Sequence, residues 1–380
     1  MTIELQVSLV LLFALAGYLL SSRINQSAVI GIILIGIVIG PSLLHIVEYS
    51  TVIEMLAHLG AIILLFAIGL EFKLREIYQL KYMFIALIGI IVPWVAGYFL
   101  SALFGYGFIE STFIAVSLTA TSIAITANVL REMNKLNTQV AKAIIGAAVV
   151  DDVLSLLALS IAVQTAHGHV DLLKILIVAA KATGFLVGAM LMAPFINKFF
   201  TKLDGQELAK KFPDFLFITA VMFCFLFASI AEIIGLSAIV GAFLAGAIFE
   251  VDLKNSKDLK EGAEYLHIIF GAIFFISLGI LVNITELTFS IVPFLAVLLI
   301  VAVLTKVIGC GLASRIMGFT RVESIAIGFG MSPRGEVAMI VGLIGLTSRV
   351  ISQDIYVSIM VMSLVTTIIT PVVIRNYLKW

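Results

Sequence analysis

Residues 144–163, IIGAAVVDDVLSLLALSIAV, place two adjacent carboxylates, Asp151 and Asp152, in the middle of a run that carries no other charge. A run of this length crosses the hydrocarbon core of a bilayer, which takes about 20 apolar residues. The pair then lies near the midplane, where a charge costs roughly 2.5–3.5 kcal/mol on translocon-type scales. A fold does not need that cost to hold together. A cation-binding or proton-carrying site does.

Working outward, the whole chain is apolar. Its 380 residues are 62% hydrophobic and 12% charged, with mean hydropathy +1.21; soluble domains run near a quarter charged. No polar stretch is long enough for a soluble domain. Net charge is zero, so no nucleic-acid partner is suggested. Cys224 and Cys310 lie in apolar runs and read as small core residues. The N-terminus lacks a basic n-region and a small-residue cleavage site, so the first span is expected to be kept.

Thirteen apolar segments follow, near 4–22, 27–46, 52–71, 82–105, 110–131, 138–165, 171–197, 213–233, 235–250, 263–282, 287–314, 322–348 and 354–374. Basic residues test the count. Connections after odd-numbered spans hold 18 of the 23 Lys and Arg, those after even-numbered spans hold Lys174 and Arg349, and Lys181, Lys306 and Arg334 fall inside spans. This is the positive-inside bias. It predicts an outside N-terminus and a cytoplasmic C-terminus. One wrongly merged span would destroy the pattern, which supports the weakest boundary, the split near Gly235.

Two spans carry interruptions. Span 5 holds SLTATSIAIT (117–126), rich in hydroxyls; span 12 holds GFGMSPRGEVA (328–338), where Pro333 breaks the hydrogen-bond ladder. Unwound backbone at that depth is tolerated only where protein or a cavity surrounds it. The breaks lie seven spans apart, and an odd offset reverses direction, so the halves are expected to be inverted copies. Such paired breaks point to the substrate site of a secondary transporter. The alternatives are a proline kink in span 12 and a Thr-rich packing face in span 5.

Five charged residues accompany the breaks: the aspartate pair in span 6, Lys306 deep in span 11, and Arg334 with Glu336 at the break of span 12. Adjacent helical residues point about 100° apart. One aspartate can therefore pair with Lys306 while the other faces a cavity. Arg334 and Glu336 either serve the site, neutralise each other or neutralise half-helix ends. Asp152 with Thr121, Ser122 and Thr126 supplies a carboxylate, hydroxyls and freed carbonyls, a set that suits dehydrated Na⁺ or Li⁺. A divalent ion would want more carboxylates. One carboxylate holds a proton or a metal ion but not both well, and that competition suffices for exchange. Glu71, Glu232 and Glu250 read as interfacial, His58 and Gln164 as packing or capping groups, and Lys73 to Glu76 as a solvated loop.

Seven stretches, SAVIGIILIGIVIGPSLL (27–44), LAHLGAIILLFAIGLEF (56–72), ATSIAITANVL (120–130), VVDDVLSLL (149–157), AEIIGLSAIVGAFLAGAIF (231–249), FFISLGILVN (274–283) and SPRGEVAMI (332–340), resemble the monovalent cation/proton antiporter superfamily, in the branch with NapA-type sodium/proton antiporters and glutathione-gated potassium efflux systems. The resemblance covers nearly the whole chain. It implies an all-α polytopic protein with inverted repeats, two broken helices crossing at midplane, and residues 1–380 acting as one transporter unit. A scaffold of spans 1–3 and 8–10 (about 1–72 and 213–283) would carry a core of spans 4–6 and 11–13 (about 82–165 and 287–376), with 171–197 as a linker helix. It implies a homodimer, an elevator-like movement of the core, a prokaryotic-type cell membrane, and no enzymatic activity or cofactor. Asp-Asp, in place of Asn-Asp or Gln-Asp, goes with electrogenic sodium antiport. Asp152 would be the Na⁺ ligand, and Asp151 the partner of Lys306, which would carry a second proton. Arg334 and Glu336 match the family's charged break, and His58 departs from an acidic residue common in relatives. The chain stops at Trp380, so the nucleotide-binding domain of the potassium systems is expected to be absent or supplied by another chain. Na⁺(Li⁺)/H⁺ exchange leads, K⁺/H⁺ exchange is its alternative, and a cation channel or a non-transporting ion sensor are the readings of other classes.

Overall fold

The computed structural model describes residues 2–72, 74, 79–166, 171–204, 214–249 and 257–377. Among them are fifteen α-helices, two 3₁₀ turns and no strand. The first seven helices are α1 (Ile3–Arg23), α2 (Ala28–Ile39), α3 (Thr51–Gly69), α4 (Leu80–Leu103), α5 (Phe108–Ser117), α6 (Ile123–Glu132) and α7 (Gln139–Ala166). The other eight are α8 (Leu172–Asp204), α9 (Asp214–Ile234), α10 (Ala238–Ile248), α11 (Lys257–Leu281), α12 (Val292–Ile316), α13 (Arg321–Gly330), α14 (Glu336–Thr347) and α15 (Gln353–Tyr377). With α5–α6 and α13–α14 each taken as one interrupted span, these are thirteen apolar segments. Both expected breaks are present, at 118–122 and 331–335. So is the split near Gly235, which turns the chain at φ +102°, a conformation that suits glycine.

Two helices stop more than three residues from the end expected in the sequence reading. The second span was expected to run to 46, but α2 stops at Ile39. Gly40 is extended and Pro41 follows, and a residue before proline is pushed out of the helical region. The seventh span continues to Asp204 instead of ending near 197. Glu250 and the 75–78 loop lie outside the described residues.

The helices pack in two groups. The first holds α1, α2, α3, α9, α10 and α11; the second holds α4, α5, α7, α12, α13, α14 and α15. Helix α6 packs on α7 and α15 of the second group but also reaches α2 and α3 of the first, and α8 lies against α7, α9 and α10. Many apolar side chains on the outer faces are exposed, among them Leu12, Leu15, Leu173, Leu191 and Phe195, as expected of surfaces that meet lipid.

Each group is internally repeated. In the second, α5 and α13 are both ten residues long and begin at 108 and 321, an offset of 213. Both start with a carboxylate folded back on the cap: Glu110 accepts the Gly107 N–H at 2.9 Å and Glu323 the Thr320 N–H at 2.8 Å. In the first group SAVIG (27–31) and SAIVG (237–241) repeat at an offset of 210. The contacts repeat with the letters. A Cβ on Gly36 would collide with the Ile276 carbonyl, and one on Gly246 with the Phe66 carbonyl, so α2 crosses α11 as α10 crosses α3.

These crossings give a first expectation. Gly36→Val overpacks the α2–α11 contact, at a cost of about 1–3 kcal/mol, and should lower the thermal unfolding midpoint in detergent. Gly184→Ala, with nothing within 4 Å of the added Cβ, should leave it unchanged or raised. Equal effects would refute this account of the packing.

Candidate functional site

A helix that stops inside a membrane leaves its last carbonyls without partners. At the end of α13 they are satisfied by side chains from several elements. Thr370 of α15 donates to the Phe329 carbonyl at 3.3 Å, Thr126 of α6 to Gly330 at 2.6 Å, and Thr121 of the first break to Met331 at 3.1 Å. Arg334, fully buried, donates through Nη1 to the carbonyls of Ser332 (2.7 Å) and Met331 (3.3 Å) and through Nη2 to Ala302 of α12 (3.2 Å). The second break is held in turn by α15: the Arg334 N–H donates to Thr366 Oγ1 at 3.1 Å, and Thr367 donates to the Arg334 carbonyl at 2.9 Å.

The two breaks also touch directly. The Ser122 N–H donates to the Pro333 carbonyl at 2.9 Å. A Cβ on Gly335 would lie 2.6 Å from Ser122 Oγ, so glycine lets the two unwound segments cross. Arg334 meets the carbonyl end of a half-helix, one of the roles left open for it by the sequence. Glu336 is the first residue of α14; its side chain lies outside the described residues.

Helix α7 passes beside this crossing and turns its two aspartates apart. Asp151 and Lys306 are both buried and meet at 3.0 Å between Oδ1 and Nζ. Asp151 Oδ2 has no hydrogen-bond partner, and Thr121 and Arg334 are further polar groups that act on this carboxylate. Asp152 is half-buried and faces the other way. Its Oδ2 accepts the Ser237 N–H at 3.3 Å, at the start of α10 in the first helix group. The roughly 100° between neighbours on a helix is enough to send one carboxylate to each side.

The structure thus brings Asp151 to Lys306, and Thr121 and Thr126 to the end of α13. With their hydrogens given to carbonyls, the two threonine oxygens present only lone pairs. Ser237 was not among the candidates from sequence. Its signal was the repeated SA-x-x-G, which places a serine just before two helices, α2 and α10. Thr366, Thr367 and Thr370 were missed because they look like ordinary small packing residues of an apolar helix.

A second polar region lies at the end of α6. Arg131 Nε meets Glu71 at 3.0 Å, an ion pair between the two helix groups where the sequence suggested only an interfacial carboxylate. Asn128 donates to Glu132 at 3.2 Å. Glu71, Arg131, Glu132, Glu264 and His267 line a cavity of ≈ 820 Å³. His58 is exposed on α3. Gln164 accepts the Asp171 N–H at 2.7 Å, which fits the capping role expected of it. Cys224 and Cys310 are free and buried.

A pair of interrupted helices crossing beside buried, oppositely charged side chains defines an ion-handling membrane protein. Residues 9–380 match the sodium/hydrogen exchanger transmembrane family, and the chain belongs to it. It is 33% identical to the Na(+)/H(+)-K(+) antiporter GerN of Bacillus cereus, over 97% of this chain and 95% of that protein. It is 36% identical to the probable Na(+)/H(+) antiporter GerT of the same organism, over 98% of each. The solved sodium proton antiporter MjNhaP1 of Methanocaldococcus jannaschii shares the fold, with TM-score 0.70 at 16% identity over 99% of this chain and 97% of that one.

The two aspartates should respond differently to substitution. Asp151→Asn strands a buried lysine, and breaking such a pair costs about 3–5 kcal/mol; its main effect should be a lower unfolding midpoint. Asp152→Asn should leave the midpoint near wild type while removing ion-dependent activity. Thermal unfolding and transport measured on both variants check this, and matching behaviour of the two would contradict it.

Proposed function

We propose that this protein exchanges Na⁺ or Li⁺ for H⁺ across a cell membrane by alternating access, with the two cations competing for Asp152. The observation that carries this reading is the division of the aspartate pair. Asp151 is paired with the buried Lys306, whereas Asp152 is half-buried and turned about 100° away on α7. Protonated or loaded with Na⁺, Asp152 presents no net charge to the apolar barrier. Empty, it is an anion that crosses at high cost. Thr121, Ser122 and the unwound backbone of the first break offer oxygens to a small cation, and Arg334 keeps the end of α13 satisfied as the site changes occupancy. Membership of the exchanger family and the activities for which GerN and GerT are named support the same reading.

Lys306 makes the exchange electrogenic in this reading. It releases its proton to water when Na⁺ binds and takes one back when Na⁺ leaves, while Asp151 stays ionised, so two protons move against one Na⁺. Glu71, Glu132 and Glu264 in the cavity at the end of α6 raise the local concentration of cations before they reach the crossing. The first helix group acts as a static scaffold, in a homodimer, against which the second group moves. The C-terminus faces the cytoplasm, on the side of the basic loops.

K⁺ as a further substrate is favoured by one observation: GerN is named for K⁺ as well as Na⁺. Acid-loaded everted vesicles separate the readings. Added Na⁺ and Li⁺ should dissipate the pH gradient, and dissipation by K⁺ alone would overturn the sodium assignment. In proteoliposomes Lys306→Gln should keep exchange but lose its dependence on membrane voltage; an unchanged voltage dependence would refute the lysine's role.

A further inference from the structure

Asp152 sits in the second helix group, and the N–H it accepts belongs to the first. Ser237 caps α10: its Oγ accepts the Ile239 N–H at 3.2 Å, and its backbone is extended at φ −62° and ψ 132°. Its own N–H is left to point at Asp152. One turn further along α7, Leu156 lies against Gly235, with its methyl carbons 3.8 and 4.0 Å from where a Cβ would stand. The face of α7 that carries Asp152 is therefore docked on the 235–237 turn. Another carboxylate, Glu132 of α6, acts on the repeat-equivalent start of α2 at Ala28, but only the start of α10 receives the carboxylate assigned to the transported ion.

A helix N-terminus carries the equivalent of roughly +0.5 charge, and a hydrogen bond to an ionised acceptor is about twice as strong as one between neutral groups. Both effects favour an anionic Asp152 on Ser237. Both fade once the carboxylate is protonated or shares its charge with Na⁺.

We infer that the 235–237 turn is a latch: it holds the second helix group in place while Asp152 is empty and releases it when Asp152 is loaded. This rests on the reading of Asp152 as the shared carrier. The latch suppresses passage of the empty carrier and so keeps Na⁺ and H⁺ flows coupled. Ser237 is a positioning residue here, because it acts on the carboxylate and not on the ion.

Proline tests this without disturbing the backbone, because the φ of Ser237 is one that proline adopts. S237P deletes the N–H; S237A keeps it and loses only the cap. Both full-length variants are reconstituted beside wild type at one fixed pH. ²²Na⁺/Na⁺ exchange, which needs loaded carriers alone, should be similar in all three. Protons taken up per Na⁺ released should fall severalfold in S237P and stay at the wild-type value in S237A. A wild-type ratio in an S237P that retains Na⁺/Na⁺ exchange overturns the latch. Absence of Na⁺/Na⁺ exchange in wild type overturns the transport reading instead. Should S237P alone lack exchange, amide hydrogen exchange of wild type decides: Na⁺ should speed exchange of the 235–241 segment, and an unchanged or slower rate overturns the latch.

Discussion

Backbone that leaves a helix inside a membrane must find new partners from protein, because hydrocarbon offers none. Most of the arrangement around the crossing follows from that requirement. Helix α13 ends at Gly330, and the carbonyls of its last turn are met by Thr121, Thr126, Thr370 and Arg334. These donors come from the other break, from α6, from α15 and from the second break itself. The crossing is therefore tied to its surroundings at every face. It cannot be pulled apart without orphaning carbonyls. The cost of a buried guanidinium is offset by this service: Arg334 gives three hydrogen bonds to carbonyls of α12 and the α13 end.

The fold is repeated but its chemistry is not. At the offset of 213 that relates α5 to α13, Lys306 corresponds to Pro93, Arg334 to Thr121, and the aspartate pair to Leu364 and Val365. Thr121 and Arg334 serve one carbonyl, that of Met331, from the two repeats. The scaffold gains a near-symmetric frame from duplication, in which small residues let helices cross closely. The charged site arises because one carboxylate of the pair, Asp151, from one half meets a lysine from the other. A symmetric site would have had like charges facing like.

Much of this was legible in the letters. Charges inside apolar runs stand out, and Pro333 cannot continue a helix, so Asp151, Asp152, Lys306 and both breaks were readable. The 100° turn between neighbours was enough to separate the two aspartates before any coordinates. What could not be read depends on tertiary placement. The hydroxyls of Thr121 and Thr126 were readable as oxygen donors, but that their hydrogens go to the carbonyls at the end of α13 was not. Glu71 looked like an interfacial carboxylate, and its partner Arg131 is 60 positions away in sequence. Ser237 contributes only a backbone N–H, which side-chain chemistry does not announce. The early end of α2 was written in Gly40–Pro41, but apolar letters on both sides masked it.

The central claim is that one carboxylate, Asp152, holds either Na⁺ or a proton. Calorimetric titration of the purified protein with Na⁺, in two buffers of different ionisation enthalpy at one pH, reads that exchange directly. Wild type should bind Na⁺ and release protons as it does so, and Asp152→Asn should do neither. Na⁺ binding to Asp152→Asn with undiminished proton release would contradict the account.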